Sequence, residues 1–205
     1  MWKRMARVVG VPVLASALLA GCATGYLLDN NVQSFSSLPA LAALPASPTY
    51  RFDRLPSQQA SPGQAQLEAL ADPALFKAGL RRDDAAPRYS VQVSARVQPV
   101  VSPWADPWDR WGGGWGGWSG GFGGRGFGVG FGGPFARMER PWFLREVGVV
   151  VRELPSSRVV YETHAGNDGP WGDNASVLPA MFEAALQGFP NPPAGPRRIN
   201  VQVGK

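Results

Sequence analysis

His164 is the only imidazole in 205 residues and Cys22 the only thiol, so the side-chain chemistry open to this chain is narrow. One thiol closes no intramolecular disulfide, and one of each excludes thiolate zinc clusters and any site built on two or more histidines. As a general base, His164 would need a nucleophile and an orienting carboxylate. Asp168 or Asp173 could orient it, but no Gly-x-Ser-x-Gly elbow positions a serine. A histidine at a strand end, on the face opposite Tyr161, is the simpler expectation. Asn167-Asp168-Gly169 and Asp173-Asn174 have calcium-loop residue types without the EF-hand spacing or its closing Glu, so a turn and a helix cap are expected there. Glu146, Glu153 and Glu162 stand beside Arg145, Arg152 and Arg158, where cross-strand pairing is the default. No phosphate loop of the Gly-Lys-Ser/Thr type is present. No cofactor, no metal and no enzymatic activity are expected; a hydrolase using His164 is the lesser alternative.

The thiol sits in a more informative place. Lys3, Arg4 and Arg7 precede an apolar run from Val8 to Ala20, interrupted by Gly10, Pro12 and Ser16. Such a run is a secretory signal, too short to span a bilayer. It ends in Leu19-Ala20-Gly21-Cys22, which resembles the lipobox of bacterial lipoproteins. The resemblance implies cleavage before Cys22 and a diacylglycerol on its sulfur. One acyl chain binds a membrane marginally and several hold firmly, at about 0.8 kcal/mol per buried methylene. Ala23, by similarity to the sorting rule of Gram-negative lipoproteins, points to the outer membrane, facing the periplasm. Cleavage also removes Lys3, Arg4 and Arg7, three of the five net positive charges. What is left argues against a nucleic-acid partner.

Residues 22–47 are small, polar and Pro-punctuated, as a tether would be, with room for a short strand at Val32–Leu38. Tyr50–Leu55 alternates as a strand and Pro56 stops it. Gln64–Leu80 carries Leu67, Leu70, Ala71, Ala74, Leu75 and Ala78 at helical intervals, with Gly79 at the end. Pro73 makes this either one helix or two short ones. Tyr89, Val91, Val93, Ala95 and Val97 alternate with polar residues, the clearest strand pattern here. Leu144–Leu154 and Arg158–Thr163 flank a Pro155-Ser156-Ser157 turn and predict a hairpin. Asp173–Gly188 predicts a helix with Leu178, Met181, Phe182, Ala185 and Leu186 inward. Ile199–Val203 predicts a last strand.

Between Trp104 and Phe135 the chain interleaves aromatic rings with glycine; 14 of the 22 residues from Gly112 to Gly133 are Gly. Trp104, Trp108, Trp111, Trp115, Trp118 and Phe122 are spaced like a helical stripe. Each Gly costs about 1 kcal/mol against Ala in a helix, however, so a flexible insertion is expected. Trp108, Trp111, Trp115, Trp118 and Phe122 are a candidate contact surface for a bilayer, a glycan or a protein. With Arg125 as its only charge from Gly112 to Gly133, the segment does not suit RNA.

The lipobox, the Tyr50-Arg51-Phe52 opening, the Ala-Leu-x-x-x-Gly-Leu pattern of Ala74–Leu80, the aromatic-glycine insertion, Val160-Tyr161-Glu162 and Gly188-Phe189-Pro190 together resemble bacterial lipoproteins of domain of unknown function 4136. The Leu154-Pro155-Ser156-Ser157 turn departs from the Asp- and Gly-containing turn of many members. The resemblance implies no activity and no catalytic residue. The expected organisation is therefore a lipoprotein signal at 1–21, a tether at 22–47 and an α+β domain at 48–205 with a flexible loop at 103–136. The fold expected is a single mainly antiparallel sheet with two helices packed on one face and a long disordered Gly/Trp/Phe-rich insertion. The function expected is that of a lipid-anchored cell-envelope protein with Cys22 as the acylated residue and Leu19, Ala20 and Gly21 as the cleavage motif. It would act as a structural or interaction module, partnered by the membrane and by an envelope protein, glycan or lipid.

Overall fold

Alternation carries most of the architecture. In the computed structural model, which describes residues 25–39, 48–104 and 141–204, the long strand β4 (Tyr89–Val100) pairs antiparallel with β5 (Trp142–Glu153) over its whole length. β5 turns into β6 (Arg158–Gly169), again antiparallel. Val91, Val93, Val147, Val149, Val151, Tyr161 and Ala165 are fully or almost fully buried on one face, because a pleated strand sends every second side chain the same way.

Residues 26–36 correct the expected tether. They form β1 (Tyr26–Ser36), an eleven-residue strand held between β6 and β7 (Arg197–Val203), antiparallel to both. Leu28 and Val32 are fully buried, and Asn30 and Ser34 lie on the same inward stripe. The polar character of Asn30 and Ser34 hides the alternation in the sequence. Asn30 Nδ2 donates to the carbonyls of Leu28 and Ile199, and Ser34 Oγ meets Thr163 Oγ1 at 2.7 Å.

Two short strands complete the other edge. β2 (Thr49–Phe52) and β3 (Arg81–Arg82) run parallel to one another, and β2 runs parallel to β4. The seven-stranded order is β3-β2-β4-β5-β6-β1-β7. The sheet is thus mixed, because the helical crossover between β2 and β4 returns the chain in the same direction.

Among the described residues three helices, one more than expected, accompany it. α1 (Pro56–Gln59) is one turn, begun by the Pro that ends the β2 segment. α2 (Gln64–Lys77) runs through Pro73 as one helix and stops at Gly79, whose φ of +96° suits glycine. α3 (Asn174–Leu186) is capped by Asp173, whose carboxylate accepts from Ala175 N at 3.0 Å. Of Asp173 and Asn174, where a helix cap is expected, Asp173 takes the role. α3 packs on β1, β5, β6 and β7, and α2 packs on β4 and beside α3. Tyr161 and Thr163 hydroxyls, on the inward face, both reach Ala185 O of α3, and Lys77 of α2 pairs with Glu183 of α3 at 2.7 Å. Arg54 holds the buried Glu68 of α2 with two hydrogen bonds of 2.6 and 2.7 Å.

Candidate functional site

The sheet face away from the helices carries Ser94, Arg96, Gln98, Glu146, Glu162 and His164, interspersed with Leu144, Val150 and Phe35. His164 stands in the middle of β6, not at a strand end, and on the face opposite Tyr161. Its Nε2 lies 3.0 Å from Glu162 Oε1 and its Nδ1 3.6 Å from Glu146 Oε1. Gly148 leaves a gap beside it. A Cβ built there would meet Ser94 Oγ at 2.8 Å and His164 Nδ1 at 3.3 Å. Register aligns Ser94, Gly148, His164 and Gln33 in one row across four strands. This row borders an open concavity of about 380 Å³ lined by Asn31, Gln33, Arg96, Gln98, Glu146 and His164. Amide, guanidinium, carboxylate and imidazole groups give it both donors and acceptors for a hydrogen-bonding ligand.

The carboxylates proposed as partners of His164 are elsewhere. Asp168 accepts from Trp142 Nε1 at 3.1 Å, and Asp173 caps α3, where the hydroxyl of Ser176 and two backbone N–H groups hold its pKa below the usual carboxylate value. Ser94 is not hydrogen-bonded to His164 among the described residues. The Glu–Arg pairs are corrected in two of three cases. Arg158 does pair with Glu153 at 3.3 Å, but Arg152 donates to Gln92 and Arg145 turns inward. Asn167-Asp168-Gly169 is the end of β6, not a turn.

A second polar group lies inside. Arg145, only 3% exposed, is opposite Asn167, which in turn is beside Asn30 on β1. Arg145 Nε donates to Asn174 Oδ1 at 2.9 Å and its Nη2 to the Trp171 carbonyl, which ties β5 to the entry of α3. Burial lowers the pKa of Arg145 from its ordinary value, countered in part by the nearby Tyr26. Asn167 Nδ2 donates to Asp29 O at 2.7 Å. The sequence did carry a signal for Arg145: it falls on the inward register of Val147, Val149 and Val151, where a charge must find partners.

Cys22, Leu19, Ala20 and Gly21, and Trp108, Trp111, Trp115, Trp118 and Phe122, lie outside the described residues. The expected loop 103–136 does so too, apart from Pro103 and Trp104.

The family model of DUF4136, a domain of unknown function, matches residues 38–191. The chain belongs to this family. The match spans β2, α2, β4, the β5–β6 hairpin and α3. No curated protein matches the chain. Among solved structures, a PDZ domain protein from Parabacteroides distasonis is similar at 13% identity and a TM-score of 0.47, covering 89% of this chain and 40% of that one. This chain therefore spans well under half of that protein. Two crystal forms of the PelC dodecamer from Paraburkholderia phytofirmans are similar at 15% and 14% identity, with TM-scores of 0.41 and 0.42. Both matches cover 77% of this chain and 94% of that one.

Proposed function

We propose that this DUF4136 protein is a lipid-anchored component of the bacterial cell envelope, held on the outer membrane and facing the periplasm, whose α+β domain is a non-enzymatic interaction or structural module. The observation that carries the reading is Leu19-Ala20-Gly21-Cys22, with the chain's one thiol closing an apolar run behind a basic start. The start of β1 at Tyr26, four residues past Cys22, supports it by joining the anchor directly to the domain. The side chains that meet His164, the carboxylates of Glu146 and Glu162, give the polar face hydrogen-bonding groups for a partner. The test is incorporation of labelled palmitate into the full chain, with Cys22→Ser abolishing it and releasing the protein to the soluble fraction. Palmitate-free wild-type protein would sink the reading.

A second reading, a glycan- or lipid-binding module, is favoured by the amide-rich concavity beside His164. Titration with peptidoglycan fragments should then change tryptophan emission or the melting temperature, and Gln33→Ala with Gln98→Ala should remove the change.

A further inference from the structure

The two ends of the sheet differ in what they carry. At one end are the start of β1, the end of β4, the start of β5, the end of β6 and the end of β7. Register places them together: Tyr26 pairs with Val203, Val100 with Trp142, and Phe143 with Gly169. The three tryptophans among the described residues, Trp104, Trp142 and Trp171, are all here, the last stacked on Tyr26. So are Leu27 and Val101, each 59% exposed, and Trp104, 84% exposed. The chain also leaves the sheet here toward residue 22, and it leaves and re-enters here on either side of residues 105–140. At the other end is the β5–β6 turn with Ser156, where Phe35 and Val159 are also exposed, at 58% and 43%, so what sets the first end apart is its tryptophans and its nearness in sequence to residue 22.

We propose that the Tyr26/Trp142 end of the sheet faces the bilayer surface, with Leu27, Val101 and Trp104 seated at the lipid headgroups. The inference rests on the acylation of Cys22. Tyr26 is four positions past Cys22, and a fully extended chain covers at most about 3.6 Å per residue, so the Cα of Tyr26 lies within about 14 Å of that of Cys22. β5, with twelve residues, is about 40 Å long. A leash this short against a body this long keeps the anchored end at the membrane. Trp belongs at that depth because its ring is apolar while its N–H can still reach water. Exposed Leu27 and Val101 lose contact with water there, which leaves the polar concavity beside His164 free on the flank.

The test uses the acylated full chain, in which Cys22 is blocked and an introduced thiol is the one free cysteine. Leu27→Cys, Val101→Cys and Ser156→Cys variants are labelled with a fluorophore and reconstituted with vesicles of phosphatidylethanolamine and phosphatidylglycerol bearing a headgroup nitroxide. Flotation of each with the vesicles reports the anchor, and quenching reports the end. The expected result is flotation of all three, with quenching at Leu27 and Val101 severalfold stronger than at Ser156. Equal quenching, or stronger quenching at Ser156, overturns the placement while the anchor stands. Labels at Leu27 and Val101 already shielded in detergent would mean that a second copy of the chain covers this end, and also overturns it. Failure of all three to float, with no palmitate on the chain, sinks the anchor and the placement together.

Discussion

Trp171 stacks on Tyr26 with ring centroids 4.0 Å apart and planes inclined by 17°. One ring begins β1 and the other lies between β6 and α3, so the pair clasps the N-terminal strand to the helix entry. The same loop segment offers its Trp171 carbonyl to Arg145. Strand, helix and buried guanidinium therefore meet at the start of β1.

Truncation of that clasp should be felt. Trp171→Ala removes a half-buried ring and its stacking partner, and is expected to cost about 2 kcal/mol of stability. Trp171→Phe should restore most of it. Urea unfolding should show a lower midpoint at unchanged slope for the alanine variant; an unchanged midpoint would mean the stack is incidental.

Alkaline pH should loosen the fold through Tyr50. Its hydroxyl is buried and donates to the Asp72 carboxylate. Burial first, and that hydrogen bond second, push its pKa far above the ordinary tyrosine value. Up to about pH 10 folded and unfolded chains both keep the proton, and the contribution is complete. Above that the unfolded chain gives up its proton while the folded one retains it, so stability falls by about 1.4 kcal/mol per pH unit for such a group. Tyr161 and Tyr26, both raised chiefly by burial, act in the same direction. Tyr50→Phe should therefore reduce the alkaline slope of stability without abolishing it, as read by chemical unfolding at pH 9 to 11.

The aromatic-glycine segment should be dispensable for folding. Val100 and Trp142 already pair across β4 and β5, and among the described residues the elements on either side of the segment already form a continuous buried core. Deleting residues 112–133 removes about half of the connection and should leave the fold intact, with a gain of about 0.6 kcal/mol from the shorter closure. A drop of several degrees in melting temperature would make the segment part of the core.

Local regularity was readable. β4, the β5–β6 hairpin, α3 and the last strand each carry a period of two or 3.6 in their own residues, and the apolar stripe of α2 was visible through Pro73. Such periodicity needs no knowledge of neighbours. The first half of β1, ahead of the short strand expected at Val32–Leu38, reads as tether because its inward positions alternate Leu28 and Val32 with Asn30 and Ser34. Those two are tolerated inside only since Ile199 O, Leu28 O and Thr163 Oγ1 satisfy them from adjoining strands. Parallel pairing of β2 was invisible for the same reason: strand direction belongs to the crossover, not to the four residues Thr49–Phe52.

The site divides along the same line. Composition alone limited the chemistry to one thiol and one imidazole, and it put that thiol behind an apolar run. Only the folded sheet set His164 between Glu146 and Glu162, turned Asp168 and Asp173 to other partners, and sent Arg145 inward beside Asn167. Residue types are properties of the chain, but a charge's partners are whatever register and packing bring within hydrogen-bond reach, and register is decided across strands far apart in sequence.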